Sequence, residues 1–473
     1  PPQPPAAPPR PPWRRRTPTA RAPAGGGAPR AAGAKNELVS VLVGTVGGAL
    51  LAAAGSVGFS RRERSWVTAS FVMHATFACA QVPIALAFYG SSDMFLYFRY
   101  GEVLAQMMER DAAQMIPEVT AILLHRPHHL PMFIVGAGTS TGTMSALAAW
   151  TFYLLGPSKY AACIAFAMLS LCGKIALYRA FRANVDPVYR FPAAIATLFM
   201  PSFVFWSSGL IKEAIAVFGF GWAVFGAHLW IRENRVTLGA ALIIAGAIPI
   251  ILIKAYILFP LVLAGGAWYY WERSSKRGRV RIRPAYLVVA AAVGIGGILL
   301  LGQYFPEYSP DAFSTRTAEL QQMGRTVRGG SNYAFSDDVP TTLVGQLAFA
   351  PVALLASLFR PAIFEARSVL MLANALETTV LTLLLLRILF RRNLGRVRRQ
   401  IMDDPFMIFC VVFVIAFGIA VGLTSTNLGT LSRYRSPILP FFAMMLFVLQ
   451  KPRSAPSNVE RIHGTTEGVL RAA

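Results

Sequence analysis

Hydrophobic runs of bilayer-crossing length recur along this sequence, each separated from the next by a short cluster of arginine and lysine. In hydrocarbon a backbone must satisfy its own hydrogen bonds, so only helices or closed barrels can use such runs. The runs are continuous stretches of about 17–25 apolar residues with no polar–apolar alternation, which selects helices. Composition agrees: 55% of the residues are hydrophobic, 14% are charged and the mean hydropathy is +0.50. A soluble domain carries about 25% charged residues. The expected fold is therefore an all-α, polytopic integral membrane helix bundle.

The net charge is +23, and its distribution decides its meaning. The cations cluster at "RRER" (61–64), "YRAFR" (178–182), "IRENR" (231–235), "ERSSKRGRVRIR" (272–283) and "RRNLGRVRR" (391–399), each beside an apolar run. Cytoplasmic loops carry such excesses, whereas a nucleic-acid surface needs a folded basic face with stacking aromatics. Placing every cluster inside threads the spans as 66–89, 158–179, 190–208, 213–231, 237–253, 256–271, 284–302, 368–390, 406–424 and 436–450. Depending on how the remaining apolar stretches are counted, the bundle has about 10–12 transmembrane helices.

Three apolar stretches do not fit that path. If residues 140–156 or 342–359 spanned, several arginine-rich loops would move outside, so both are expected as interfacial or re-entrant helices. Residues 38–58 are long enough to span, but would carry an arginine-rich tail outward, so they read either as an extra span or as a shallow helix. The resulting organisation is a Pro/Ala/Arg-rich tail expected to be disordered (1–36), an extra hydrophobic segment and basic loop (37–65), a transmembrane domain (66–450) and a cytoplasmic tail (451–473). Residues 90–138 and 303–341 form two large extracytoplasmic loops with interfacial helices.

Charged residues at the outer membrane edge are costly to desolvate and mark candidate chemistry. Asp93, in "SSDMFLYFRYGEVL", and Glu213, in "FMPSFVFWSSGLIKEAIAVFGF", fall at the outer ends of neighbouring helices. Such carboxylates deprotonate a hydroxyl, hold a divalent ion such as Mg²⁺ or Mn²⁺, or simply favour a helix N-terminus. Lys212, Lys254, Arg360, Arg433 and Arg435 supply cations on the same face, suited to a lipid phosphate. Glu102, Tyr97, Tyr434 and Glu365 complete the candidates. Threading places Ser207 to Glu213 as a turn at the outer surface.

Other features carry less. The histidines of "HRPHH" (125–129) lack helical i, i+4 spacing and an acidic partner, and "GAGTSTG" (136–142) has neither a preceding strand nor a following lysine. His74, His228 and the four cysteines lie in apolar runs and read as core residues, and the cysteines imply neither a disulfide framework nor a zinc site.

The order of these features resembles the GT-C class of membrane glycosyltransferases, which includes protein O-mannosyltransferases, the lipid A aminoarabinose transferase and oligosaccharyltransferases. The resemblance rests on Asp93 in the first outer loop, the "GPS" turn within 147–182, "MPSFVFWSSGLIKE", "SRYRSPILP" (432–440), "RGGSNYAF" (328–335) and "FRPAIFEA" (359–366). It covers roughly residues 66–450. It implies a polyprenyl-phosphate-linked sugar donor, a glycan, lipid or protein acceptor, and a bacterial inner-membrane location with the site facing outward. It further implies Asp93 as base, Glu213 as a second acid, and Lys254, Arg433 and Arg435 as phosphate contacts. A transporter or flippase of a lipid-linked saccharide would use the same cations plus a polar path, for which Lys174 and Glu377 stand out. A non-catalytic subunit of a polysaccharide assembly complex would use only the outer loops.

Overall fold

A computed structural model describes residues 29–88, 92–275, 309–326, 332–333 and 342–451, with Gly296, Gly302 and Gln303 as isolated positions. Residues 1–28 of the tail expected over 1–36, nearly all of the span over 284–302, most of the loop over 303–341 and the tail beyond 451 lie outside the described residues, while residues 29–36, expected as part of the disordered tail, belong to the first helix. The described chain is all-helical apart from one isolated bridge, Asn332 to Asn427.

The helices, in order, are α1 (Pro29–Gly55), α2 (Arg61–Phe88), α3 (Asp93–Arg110), α4 (Ala112–Leu123), α5 (Ser140–Leu155), α6 (Lys159–Asn184), α7 (Arg190–Ala194), α8 (Pro201–Phe205), α9 (Lys212–Ile231), α10 (Val236–Lys254) and α11 (Leu258–Ser275). They continue as α12 (Pro310–Thr326), α13 (Leu343–Leu347), α14 (Ala350–Phe359), α15 (Val369–Arg391), α16 (Leu394–Met402), α17 (Pro405–Thr424), α18 (Leu428–Tyr434) and α19 (Leu439–Leu449). Among the described residues seven stretches are long and apolar enough to cross a membrane, with Val236–Ser275 counted as one of 40 residues. The chain is thus a polytopic helical bundle. Glu37–Gly55 is one of the seven, so by length and composition the 38–58 stretch can span.

Polar residues between the runs start the helices. The "SRRE" sequence closes a capping box: Ser60 N donates to Glu63 Oε2 at 2.9 Å and Glu63 N donates to Ser60 Oγ at 3.3 Å. Ser158, Ser368 and Asp404 cap α6, α15 and α17. Outward faces stay apolar, as at Leu42, Leu50, Ile244, Val262 and Val380, which suits hydrocarbon surroundings.

The segment expected as one helix over 190–208 is broken. Arg190–Ala194 runs into a π-turn at Ile195–Phe199, Met200 leaves the helical region at φ −57 and ψ 117, and α8 restarts at Pro201. Proline lacks the amide that would continue the ladder and disfavours helical geometry in the residue before it. Carbonyls along this segment accept side-chain donors from the bundle. Leu198 O takes Ser70 Oγ at 2.9 Å, Phe203 O takes Lys174 Nζ at 3.0 Å and Phe205 O takes Gln81 Nε2 at 2.6 Å. The 342–359 stretch is likewise two short helices, with Pro351 in the first turn of α14.

Close backbone packing sets the bundle. A Cβ added at Gly221 of α9 would overlap the carbonyl of Gly173 on α6, and one at Gly422 of α17 would overlap the Ala353 carbonyl on α14. Helices α3, α4 and α5 share a core of their own built from Leu104, Met108, Val119, Ile122 and Ala149, and α5 packs on α6 and α10. The bundle encloses the Ser207–Glu213 turn, with Gln81 of α2 against Gly209 and Ser140 and Thr141 of α5 on Lys212. Ser207, Ser208 and Leu210 are fully buried and Glu213 is 1% exposed, so the turn lies inside the fold instead of at its outer surface.

Candidate functional site

Asp93 opens α3, following Ser92, whose extended φ −137 and ψ 155 begin the helix without a side-chain cap. Its carboxylate is 58% exposed, and Oδ2 accepts from Arg433 Nη1 at 3.3 Å. Arg433 comes from the last turn of α18, a helix set by Asn427, whose side chain accepts from Gly429 N at 2.9 Å and Thr430 N at 3.3 Å. On its other side Arg433 Nε forms an ion pair with Glu213 Oε1 at 2.8 Å. The same oxygen accepts from Lys254 Nζ at 2.7 Å. Arg433 therefore links an accessible carboxylate to a buried one.

Lys254 reaches Glu213 because α10 ends there. Its φ −149 and ψ 62 break the helix, and Ala255–Ile257 makes a single 3-10 turn before α11. Its ammonium also lies 4.4 Å from the centre of the Tyr434 ring, a cation–π contact that helps hold a buried cation. Lys212 points to α5 and donates to Ser140 Oγ at 2.9 Å and Thr141 Oγ1 at 3.1 Å. Two carboxylates, Asp93 and Glu213, thus face three cations, Arg433, Lys254 and Lys212, and the surplus is positive. Burial by itself would lower the Arg433 pKa, but Glu213, and after it Tyr434 and Asp93, raise it, so the guanidinium stays charged. Tyr97, 1% exposed on α3, has its pKa raised by burial and next by Asp93, which keeps the phenol protonated.

Asp93 and Arg433 line a cavity of about 370 Å³ together with Gln81, Ser92, Trp206, Asn427 and Thr430. That volume falls within the range of small-molecule pockets, about 300–1,000 Å³. Glu213 and Lys254 stand behind Arg433 and do not line the cavity. Both carboxylates meet on Arg433, an arrangement that does not fit a divalent ion between them. Among the described residues no group of three or more His, Cys, Asp or Glu is placed to hold a metal.

The other candidates form a second group. Arg360 is ion-paired with Glu365, donating from Nε at 2.8 Å, and its guanidinium lies 4.3 Å from the Tyr333 ring centre. Burial alone would raise the Glu365 pKa. The Arg360 hydrogen bond, the Ala362 amide at 2.8 Å and the Arg360 charge together bring it below the usual carboxylate range. Arg435, 1% exposed, donates to Arg360 O at 2.6 Å and to Thr378 Oγ1 at 2.6 Å, tying α15 to the segment after α14. Glu102 is exposed on α3 and does not line the cavity.

Gln81, Trp206, Asn427 and Thr430 were not among the expected site residues. Gln81 carries a signal, as a lone amide in the apolar run "FACAQVPIALAF". Asn427 resembles any helix cap until the fold turns it toward the cavity. No protein-family model, curated protein or solved structure matches this chain.

Proposed function

We propose that this chain is a GT-C-like membrane glycosyltransferase of the bacterial inner membrane. It would transfer a sugar from a polyprenyl-phosphate-linked donor to an acceptor hydroxyl arriving from the extracytoplasmic side. The supporting observation is the position of Arg433 on the cavity wall between accessible Asp93 and buried Glu213.

In this reading the donor phosphate competes with Asp93 for Arg433. The Asp93 contact at 3.3 Å is the longer of the two carboxylate contacts, so it yields first, while Glu213 at 2.8 Å keeps the guanidinium in place. The released Asp93 takes the acceptor proton as the acceptor oxygen attacks the anomeric carbon. The bond from that carbon to the phosphate oxygen breaks, and the lipid phosphate leaves with the electron pair. Arg433, with Lys254 behind it, neutralises the charge that develops on the leaving group. Attack opposite the leaving group inverts the anomeric centre. The step uses the Asp93 carboxylate on the cavity wall and the cations Arg433 and Lys254.

A second reading, movement of a lipid-linked saccharide across the bilayer, draws on Lys174 and Glu377 beside the broken α7–α8 segment. Lys174 Nζ lies 3.0 Å from His74 Nε2, and Glu377 Oε2 accepts from Ser202 N at 2.8 Å. An assay of protein in vesicles with externally supplied polyprenyl-phosphate sugars and acceptor separates the two. Transfer predicts donor consumption with release of lipid phosphate. Redistribution of intact donor between leaflets without consumption would replace the transferase reading with the second.

A further inference from the structure

We infer that α16 (Leu394–Met402), between spans α15 and α17, is a binding site for the anionic headgroups of inner-leaflet phospholipids. The helix begins where the Asn393 side chain accepts from Arg396 N at 3.2 Å. It is seated on the bundle by Val397 and Gln400, both 8% exposed. Gln400 Nε2 donates to Val448 O at 3.2 Å and Lys451 O at 3.4 Å, which brings the end of α19 and Lys451 alongside. Arg391, Arg396, Arg398 and Arg399 are exposed, Arg392 is half-buried, and none of the five forms an ion pair among the described residues.

Several cations of the other basic clusters are paired, although Arg61, Arg62 and Arg64 are, like those of α16, exposed and without an ion pair among the described residues. Arg182 pairs with Glu63 at 2.7 Å, Arg232 with Glu272 at 3.0 Å and Arg235 with Glu233 at 3.6 Å. Those cations already have partners within the protein. Near α16 the buried carboxylate, Asp404, caps α17 through Phe406 N at 3.0 Å and Met407 N at 3.3 Å, which directs it toward that helix. Arg396 and Arg399 stand three residues apart, so they are neighbours on the helix surface and can clamp one phosphate from two sides.

Apolar side chains choose the lipid over other phosphate bearers. Phe390 is 83% exposed, Leu394 55% and Leu389 45%, directly beside the arginines. A helix with a cationic face next to unburied apolar residues, at the end of a spanning helix, matches the acyl–headgroup boundary. A nucleic-acid surface would instead interleave stacking aromatics among the cations, and α16 contains none.

The test uses the full chain in an uncharged detergent, with native mass spectrometry counting retained phosphatidylglycerol against phosphatidylcholine of the same acyl chains. The wild-type protein is expected to retain phosphatidylglycerol with a preference of about tenfold, and R396Q/R398Q/R399Q to bring the two lipids near parity. Unchanged thermal unfolding of the triple variant in phosphatidylcholine would assign the loss to binding. If that variant fails to fold, Arg399→Gln alone is expected to lower the preference by about threefold. No preference in the wild-type protein, an undiminished preference in the variants, or displacement of the lipid by an oligoribonucleotide would overturn the inference.

Discussion

Replacing Glu213 by Gln keeps the shape of the side chain and removes the only fully buried charge between Lys254 and Arg433. Glu213 is 1% exposed, with the cations at 2.7 and 2.8 Å. At about 2.8 Å, and an effective dielectric of about 20, each attraction amounts to about 6 kcal/mol before desolvation is subtracted. Most of that is offset by the cost of burying the ions, so the quantity to expect is the penalty for leaving cations unmatched, about 3–5 kcal/mol. Arg433 keeps Asp93 as a partner, whereas Lys254 keeps the Tyr434 and Tyr256 rings and no carboxylate among the described residues. Glu213→Gln together with Lys254→Met should therefore recover part of the loss, with a coupling energy of about 1.5 kcal/mol or more. Unfolding of the purified protein in mixed micelles, followed by Trp fluorescence for both single variants and the double, measures this directly. A Glu213→Gln cost below about 0.5 kcal/mol, or strict additivity in the double variant, would refute the counter-ion role.

Three further outcomes are expected. Arg433→Lys keeps a charge but cannot reach Asp93 and Glu213 together, so transfer should fall by about 10–100-fold, measured as donor consumption, with little change in thermal stability. The Glu365 carboxylate is held below its usual range, so the unfolded chain binds more protons near its titration. Its stabilisation is thus fully present above about pH 5 and is lost as pH falls through the lowered folded-state value. Unfolding temperature followed between about pH 3 and 6 should show this slope in the wild-type protein and a shallower one in Glu365→Gln. Gly221→Val would drive a side chain into the Gly173 carbonyl and should cost about 1–3 kcal/mol or prevent folding, scored by the yield of monodisperse protein and its unfolding temperature.

Much of the bundle is legible because length and hydrophobicity act locally. The runs at 158–179, 213–231, 368–390 and 406–424 correspond to α6, α9, α15 and α17, and polar caps beside them in sequence set the starts of α6, α15 and α17. The break at Met200–Pro201 has a local cause, yet an apolar count over 190–208 passes through it, because hydropathy does not register a missing amide. Burial of Ser207–Glu213 has no local cause at all. It follows from contacts with segments far apart in the chain: Gln81 of α2 lies against Gly209, Ser140 and Thr141 of α5 hold Lys212, and Lys254 and Arg433 hold Glu213.

The site divides in the same way. Asp93, Glu213, Lys212, Lys254 and Arg433 stand out as charges in apolar surroundings, and the structure brings them together. Arg360 and Arg435 stand out equally, and the structure sets them in a separate cluster with Glu365, Tyr333 and Thr378. A cation next to a span announces that it needs a partner without naming one. Lys174 shows the same limit: its burial is evident from its run, while His74 and the Phe203 carbonyl emerge only from the fold.

The most direct test of the account is the rate at which lipid phosphate is released from a polyprenyl-phosphate sugar by Asp93→Asn, compared with wild-type protein in the same vesicles. Asparagine preserves the size of the side chain and a contact to Arg433 but cannot accept the acceptor proton. The expected result is a fall of about 100-fold or more with donor binding retained. Release at an undiminished rate from the variant would contradict the assignment of Asp93 as the base and, with it, the mechanism built on Arg433.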